Sequence, residues 1–190
     1  MQIGLFFGSF NPVHIGHMAI ANYMLTFTDM EEVWLVVSPH NPLKQKSSLL
    51  DQHQRLALVA MAADDHPKIR ANNIEFQLPQ PSYTIHTLAH LQEKYPQHTF
   101  SLIMGQDNLG SLHKWKNYEE ILKLCRIYIY PRPGCEPTVF DEHPRVFFTA
   151  APLMDISSTF IRKALQEKKD IRYFLPHRVW EEIDLMNYYR

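Results

Sequence analysis

Short apolar runs that alternate with helix-like stretches are the feature that most constrains the fold of this 190-residue chain. Runs rich in Val, Ile, Leu and aromatic residues are typical of strands buried on both faces. Strands are predicted over Ile3 to Phe7, Val33 to Val37, Phe100 to Met104, Ile127 to Tyr130 and Val146 to Phe148. Helices are predicted over Ile15 to Phe27, Asp51 to Ala63, Thr84 to Lys94, Glu119 to Leu124, Ser158 to Glu167 and His177 to Met186. The alternation predicts an α/β fold, a doubly wound, Rossmann-like parallel sheet with helices on both faces.

Composition indicates one globular domain that spans residues 1–190. Hydrophobic residues make up 45% of the chain, and no repeat or linker divides it. With 19 basic and 20 acidic side chains, the charge gives no reason to expect a nucleic-acid or membrane partner. The N-terminus lacks the features of a signal peptide and no apolar run is long enough to span a bilayer, so we expect a cytoplasmic protein. Two cysteines without a CxxC pattern, Cys125 and Cys135, are expected to be reduced thiols.

Polar and basic residues follow several of the predicted strands. They are found in the segments 39–44, 105–108 and 131–134, and in the stretch from Gly8 to His17. In a doubly wound sheet, ligands bind beyond the carboxyl ends of the strands, near the switch in strand order. We therefore expect these separate segments to form one site.

The stretch GSFNPVHIGH places two histidines three residues apart at the start of the first predicted helix. His14 and His17 would then lie on one face, where free backbone N–H groups and the positive helix end favour an anion. Gly8 and Gly16 would let the backbone turn and let a ligand approach. A bound polyphosphate would favour protonated imidazoles. Considered alone, the two histidines are equally consistent with half of a metal site or with a buried core histidine.

The spacing GxFxPxHxGH at the first crossover resembles the motif of the nucleotidyltransferase superfamily that includes class I aminoacyl-tRNA synthetases, for which this chain is too short. A second segment, Ile156-Ser157-Ser158-Thr159-Phe160-Ile161-Arg162, resembles the other signature of that superfamily. Three hydroxyls at a helix start are by themselves an ordinary N-cap cluster. In the superfamily, these hydroxyls, the helix N-terminus and the arginine hold the ATP phosphates.

Within that superfamily the chain resembles the bacterial nicotinate-nucleotide adenylyltransferases, from Ile3 to about Arg162. The resemblance includes the segments Asn41-Pro42-Leu43-Lys44, Ser82-Tyr83-Thr84 and Gly105-Gln106-Asp107-Asn108, together with Trp115. It implies that the nicotinate ring stacks on Trp115 and that the turn with Thr84 contacts the nicotinate carboxylate. An indole face suits a flat pyridinium ring, and backbone N–H groups suit a carboxylate. Asn11 replaces an aspartate common in the family, and Lys116 stands where an aromatic residue is frequent.

The resemblance assigns the candidate site residues to three groups. The catalytic candidates are His14, His17, Lys44 and Arg162. The ATP-binding candidates are Gly8, Ser9, Phe10, His14, Gly16, His17, Gly105, Asp107, Ile156, Ser157, Ser158, Thr159 and Arg162. The mononucleotide-binding candidates are Ser9, Asn41, Lys44, Thr84, Asp107, Trp115, Lys116 and Arg132. Four of these residues also have a simpler interpretation. Trp115 could be a packing anchor, Asp107 a turn or cap residue, and Lys44 and Arg132 solvated surface charges.

The implied reaction is adenylyl transfer from ATP to nicotinate mononucleotide, which gives nicotinic acid adenine dinucleotide and pyrophosphate in NAD biosynthesis. The expected cofactor is Mg2+ bound mainly through the ATP phosphates, with no protein metal site. Phosphopantetheine and glycerol-phosphate nucleotidyltransferases share HxGH but lack the combination of Ser82-Tyr83-Thr84 with the GxD segment and Trp115. The remaining alternatives are a nicotinamide-mononucleotide adenylyltransferase and a non-catalytic nucleotide-binding regulator. The sequence leaves open whether the chain forms a homo-oligomer.

Overall fold

A single parallel sheet forms the centre of the protein. A computed structural model describes residues 1–39 and 49–190. Within these ranges the sheet has six strands in the order β3-β2-β1-β4-β5-β6, and all five pairings are parallel. The strands are Gln2–Gly8 (β1), Glu32–Val37 (β2), Ile69–Asn72 (β3), Thr99–Gly105 (β4), Arg126–Tyr130 (β5) and Val146–Phe148 (β6). The predicted doubly wound α/β fold is confirmed.

Helices connect the strands and cover the sheet. They are Ile15–Phe27 (α1), Gln52–Ala63 (α2), Thr84–Lys94 (α3), Gln106–Leu109 (α4), Tyr118–Leu124 (α5), Ser158–Gln166 (α6) and His177–Leu185 (α7). Short 3-10 helices occupy Ile74–Gln77, Leu112–Lys114 and Arg172–Phe174. Every predicted strand and helix is present, with each end within one residue of its prediction. Across the two described ranges, the structure contains no helix with the length and apolar character needed to cross a membrane.

The edge strand β3 is the sheet element that the sequence did not predict. Its residues Ile69, Arg70, Ala71 and Asn72 include a single fully buried side chain, that of Ile69. The strand pairs with β2 alone, so one of its edges has no neighbour in the sheet. An edge strand needs no continuous apolar run, and its sequence therefore resembles a loop.

Two hydrophobic cores lie on opposite faces of the sheet because side chains alternate along each strand. Phe6, Val33 and Leu35 belong to one core, which includes residues of α1, α2, α6 and α7. Leu5 and Trp34 belong to the other, which includes residues of α3 and α5. The continuous apolar runs thus supply both cores at once, as expected of a parallel sheet covered on both sides.

The crossovers change direction at β1, which lies between β2 and β4. The connection after β1 leads to β2 on one side, whereas β4 pairs with β1 on the other side. The strand order therefore switches between β1 and β4, which creates a crevice beyond their carboxyl ends. Gly8 ends β1 and Gly105 ends β4, so both glycines lie at this crevice.

A fully buried arginine joins the carboxyl ends of the first two strands. The guanidinium of Arg55, on α2, donates to the backbone carbonyls of Ser9 (2.6 Å), Ser38 (2.8 Å), Pro39 (2.8 Å) and Leu50 (2.8 Å). Arg55 is 0% exposed, and its five N–H donors in a planar fork allow one side chain to bind several carbonyls. This residue fixes the backbone at the point where the chain leaves β1 and β2.

We expect Arg55→Lys to lower the free energy of unfolding by about 3 kcal/mol, because a lysine ammonium cannot replace the planar fork and leaves buried carbonyls unpaired. Urea denaturation of the parent and the variant measures the difference. Arg70→Lys is the control, since the Arg70 side chain is 60% exposed. Equal stability of the two variants would contradict the importance given to the Arg55 hydrogen bonds.

Candidate active site

The turn that follows β1 is filled by the protein's own rings. Phe10 has φ of 45° and is 1% exposed, and its ring packs edge-on against Phe6 and against His17 at centroid distances of 6.0 and 5.0 Å. A Cβ added to Gly8 would lie 2.9 Å from Phe10 Cζ. Gly8 therefore makes room for the phenyl ring, which corrects the expectation that its missing side chain opens a path for a ligand.

Gly16, the second residue of α1, has a similar function. A Cβ at this position would lie 3.0 Å from His14 Nδ1 and 3.7 Å from Met154 Cβ. Gly16 also has an ordinary negative φ, so its conformation does not require glycine. The glycine of the HxGH motif is therefore needed to let the His14 ring lie against the first turn of α1.

The two histidines of the motif lie ring against ring. The centroids of His14 and His17 are 3.7 Å apart with an interplanar angle of 30°. His14 is the N-cap of α1, and its backbone N–H donates to His17 Nδ1 over 3.2 Å. His14 Nδ1 is buried and has no hydrogen-bond partner within the described ranges. The prediction that both rings occupy one place at the start of α1 is confirmed.

Burial and a neighbouring positive charge keep His14 neutral. Burial, and to a smaller extent the charge of Arg132, lowers the pKa of His14 from 6.5 to about 4. At pH 7 this imidazole is uncharged, and one ring nitrogen is a donor while the other is an acceptor. The free protein thus contains a neutral hydrogen-bonding ring at a position where sequence reasoning emphasised a protonated one.

Arg132 extends from the end of β5 into the same region. Its Nη1 donates to the Met154 carbonyl (3.2 Å), its Nε lies 3.7 Å from Asp107 Oδ1, and its guanidinium lies 5.4 Å from the Tyr130 ring centroid. The structure places Arg132 beside His14 and Asp107, and its predicted contact with the mononucleotide stays a prediction. A cation here strengthens the attraction of the site for phosphate groups.

Helix α6 binds directly to the first motif. Ser158 Oγ donates to the carbonyl of Pro12 (2.9 Å), and Arg162 Nη1 donates to the carbonyl of Asn11 (2.8 Å). Ser157 is the N-cap, and its Oγ accepts from the Phe160 N–H over 3.2 Å. The two signatures, about 146 residues apart in sequence, therefore form one unit.

The hydroxyls of this segment already have partners in the protein. Thr159 Oγ1 accepts from Arg162 Nη2 over 3.3 Å, while Ser157 caps the helix and Ser158 contacts the first motif. The N-cap interpretation is thus confirmed for Ser157. Contacts of these side chains with ATP phosphates remain a prediction.

A single cleft collects candidates from several segments. It lies beyond the carboxyl ends of the strands, and imidazole, guanidinium and apolar groups form its walls. The lining residues are Phe6, His14, Gly16, His17, Ile20, Tyr130, Arg132, Met154 and Ile156. Four of these residues, His14, Gly16, His17 and Ile156, are predicted to bind ATP, and the structure brings them to the same small cavity.

Gly105 and Asp107 lie at the end of β4, next to Arg132 and Tyr130. A Cβ on Gly105 would collide with Asp107 Oδ1 and would lie 3.2 Å from Tyr130 Cζ. Glycine at this position therefore lets the carboxylate fold back towards the strand end. The side chain of Asp107 is 56% exposed, so its carboxylate remains accessible to a ligand.

Three further mononucleotide candidates, Thr84, Trp115 and Lys116, lie near the face of the sheet opposite to the histidines, whereas Ser9 directly follows β1. Thr84 is the first residue of α3, and Tyr83 is its N-cap. Lys116 Nζ lies 4.6 Å from the Tyr83 ring centroid, and Trp115 packs partly buried against the same core as Tyr83 and Phe7. The structure therefore brings Thr84, Trp115 and Lys116 into one group at the crevice.

Two candidates, Asn41 and Lys44, lie outside the described residues. Asn11, which replaces the common aspartate, is 4% exposed, and its Oδ1 accepts from the Leu50 N–H over 3.1 Å. An amide makes this contact without a charge. Cys125 and Cys135 are free thiols, as expected.

Two buried charged residues near the site, Arg55 and Glu75, were missed by sequence reasoning. Arg55 precedes the buried Leu58 and Val59 by three and four residues, so helical periodicity places it on the inner face of α2. That position is the signal that could have identified it. Glu75 lies in the short helix Ile74–Gln77, where no pattern in the sequence indicates burial.

An all-parallel α/β sheet with paired histidines at its first crossover, and a hydroxyl-rich helix bound to the turn that precedes them, defines the class of α/β nucleotidyltransferases. The cytidylyltransferase-like family model agrees, since it matches residues 5–164. A protein of Flavobacterium johnsoniae named "Probable nicotinate-nucleotide adenylyltransferase" is 55% identical over the full length of both chains. A Bacteroides thetaiotaomicron protein of the same name is 49% identical, over 96% of this chain and 91% of its own. The chain belongs to the nicotinate-nucleotide adenylyltransferase family.

Solved structures support the fold. The nicotinic acid mononucleotide adenylyltransferase of Plasmodium falciparum, solved as a complex with NaAD, superposes with a TM-score of 0.81 over 99% of this chain and 97% of that chain, at 19% identity. A putative nicotinate-nucleotide adenylyltransferase of Vibrio parahaemolyticus gives a TM-score of 0.75 over 100% and 95%, at 24% identity. The architecture therefore persists at low sequence identity.

We expect His14→Gln to reduce the loss of stability on acidification. The pKa of His14 is lower in the folded protein than in the unfolded chain, so the unfolded chain binds the proton first as pH falls below 6.5. Between pH 7 and pH 5 this costs the parent about 2 kcal/mol of unfolding free energy that the variant does not lose. Urea denaturation at both pH values measures the difference. Equal losses of unfolding free energy in the parent and the variant would contradict the lowered pKa of His14.

Proposed function

We propose that the protein transfers the adenylyl group of ATP to nicotinate mononucleotide and releases pyrophosphate, a reaction of NAD biosynthesis. The observation that carries the proposal is the stacked pair of His14 and His17, joined to α6 through Pro12 and Asn11. This unit combines imidazoles, a helix N-terminus and an arginine at one end of the sheet. Such a combination suits a polyphosphate. Family membership indicates which reaction the site performs.

Catalysis requires positioning and charge neutralisation rather than a general base. The mononucleotide phosphate is ionised at neutral pH and attacks the α-phosphorus of ATP in line with the departing pyrophosphate. Negative charge develops on the oxygen that bridges to the leaving group. The neutral His14 ring, the His17 ring and the Arg132 guanidinium supply hydrogen bonds and positive charge that become stronger as this charge grows.

The acceptor base is proposed to bind on the α3 side of the crevice. The indole of Trp115 offers a flat face to a pyridinium ring, and the backbone N–H groups near Thr84 and Lys116 offer donors to a carboxylate. Lys116 is already placed over the Tyr83 ring at 4.6 Å. The two halves of the site therefore lie on opposite sides of β1 and bind different substrates.

Mg2+ is proposed to enter with the ATP phosphates. We expect the ion to be held mainly by phosphate oxygens, since Mg2+ at nucleotide sites is bound through one or two carboxylates together with substrate phosphates. Asp107, whose carboxylate is accessible at the end of β4, is the acidic side chain that could add a ligand. When bound, the ion would neutralise phosphate charge.

Acceptor choice tests the proposal. Pyrophosphate release with ATP should be much faster with nicotinate mononucleotide than with nicotinamide mononucleotide, because an amide places its own NH2 donors against donors of the site. Trp115→Ala should weaken the binding of both mononucleotides and change the ratio of their kcat/KM values little, since either pyridine ring stacks on the indole. If the parent protein prefers nicotinamide mononucleotide, the assignment of nicotinate mononucleotide as acceptor is wrong, but the proposed adenylyl transfer from ATP is not contradicted. If neither acceptor releases pyrophosphate, the protein is a non-catalytic nucleotide-binding regulator.

We expect His17→Ala to lower kcat about a hundredfold with a much smaller rise in the KM for ATP, because its hydrogen bond strengthens in the transition state. Steady-state kinetics of pyrophosphate release measure both constants. His177→Ala is the control, since its side chain is 82% exposed on α7. A folded His17→Ala protein with near-normal kcat would exclude a catalytic role for His17.

A further inference from the structure

Glu75 is a buried carboxylate that the reaction described above does not use. It lies in the short helix Ile74–Gln77, between β3 and α3, and is 3% exposed. Burial raises its pKa, while hydrogen bonds from hydroxyl groups partly oppose that change. An apolar side chain would occupy the same space without the cost of burying a carboxylate. The contacts of Glu75 therefore require an explanation.

Both oxygens of Glu75 accept hydrogen bonds from the segment that leads into α3. Ser82 Oγ donates to Oε2 over 3.1 Å, and Thr87 Oγ1 donates to Oε1 over 3.0 Å. Thr87 is 0% exposed, and its backbone N–H donates to the Tyr83 carbonyl. The carboxylate thus fastens the chain just before and just after Tyr83 and Thr84, the residues at the head of α3.

Further contacts connect this segment to the rest of the crevice. The amide of Gln80 donates to the Glu75 carbonyl over 2.9 Å, so backbone and side chain of Glu75 fix the same loop. The Ser38 hydroxyl, at the end of β2, also stabilises the charged carboxylate. Glu75 therefore connects the first residues of α3 to the carboxyl end of β2, at the edge of the sheet where the site lies.

We propose that Glu75 is a positioning residue that sets acceptor specificity by holding the backbone of Tyr83 and Thr84 in place. This inference rests on the proposed function, in which backbone N–H groups near Thr84 bind the acceptor carboxylate. Hydrogen bonds to a charged acceptor are stronger and more demanding in geometry than those to a neutral amide. Displacement of the first residues of α3 consequently weakens the binding of nicotinate mononucleotide more than that of nicotinamide mononucleotide.

The position of Glu75 separates this effect from ATP binding. The hydrogen bonds described for its side chain go to Ser82 and Thr87, with Ser38 as a further neighbour, rather than to the turn from Gly8 to His17 or to α6. Loss of the carboxylate should therefore act on the acceptor side of β1. A general loss of stability would instead impair both substrates.

The test compares Glu75→Ala and Glu75→Gln with a matched control, Glu32→Ala. Glu32 is also a buried carboxylate, 7% exposed, and accepts from Trp34 Nε1 (2.9 Å) and Arg70 Nη2 (2.6 Å). It begins β2, at the end of the sheet opposite to the crevice. Steady-state kinetics with ATP and each of the two mononucleotides give kcat/KM for both acceptors, while circular dichroism and urea denaturation check folding.

We expect Glu75→Ala to lower the acid-to-amide ratio of kcat/KM about tenfold, mainly through a higher KM for nicotinate mononucleotide, with less than about a twofold change in the KM for ATP. Glu75→Gln retains one acceptor oxygen and should lie between Glu75→Ala and the parent. Glu32→Ala should leave the ratio unchanged even if its stability falls. If Glu75→Ala does not fold, the double variant Ser82→Ala, Thr87→Val removes the same hydrogen bonds and should lower the ratio likewise.

Failure of this inference differs from failure of the proposed function. An unchanged ratio in a folded Glu75 variant, or equal losses for both acceptors and for ATP, overturns the positioning role while the acceptor assignment stands. A parent protein that prefers the amide overturns the acceptor assignment. In that case, a ratio that still shifts in Glu75→Ala but not in Glu32→Ala retains the role of Glu75 in specificity.

Discussion

The contact between α6 and the turn after β1 is the interaction on which the site depends. Ser158 and Arg162 donate to the backbone carbonyls of Pro12 and Asn11. These bonds join the first crossover to the last one, about 146 residues further along the chain. The His14 ring can therefore keep its place against Gly16 only when the whole sheet has folded. Chemistry at this site is a property of the complete domain rather than of the local motif.

Two buried ionisable residues, one basic and one acidic, support the two halves of the crevice. Arg55 binds carbonyls of Ser9 and Ser38 on the side of the histidines, and Glu75 binds Ser82 and Thr87 on the side of α3. Both charges are expensive to bury, and both are offset by hydrogen bonds to backbone or hydroxyl groups at the head of a loop or helix. Glu32, at the opposite end of the sheet, is buried as well, so costly polar groups are not confined to the crevice. Of these three residues, Arg55 and Glu75 contact the loops that lead to the crevice.

The sequence predicted the elements and the general location of the site because those depend on local patterns. Apolar runs mark strands buried on both faces, and their order along the chain determines where the strand ends meet. Edge strand β3 was not predicted because a strand with one neighbour needs little apolar character. Sequence reasoning missed Arg55 although helical periodicity places it on the buried face of α2, because its partners at Ser9 and Ser38 are 46 and 17 residues away. It missed Glu75 because no local pattern shows that Ser82 and Thr87 bind its carboxylate. The glycines were found as site residues but misinterpreted, since the space at Gly8 and Gly16 belongs to Phe10 and His14.

The electrostatics of the cleft explain why an imidazole and a guanidinium can be neighbours. Two full positive charges side by side in a partly buried cleft would repel each other, so the charge of Arg132 acts together with burial to keep His14 neutral. A neutral ring still donates a hydrogen bond to phosphate oxygen, while Arg132 supplies the formal charge. In the proposed function, this division would let the site attract a polyphosphate while His14 stays neutral at pH 7. The stacked arrangement of the histidines is compatible with this state because at least one of the two rings carries no charge.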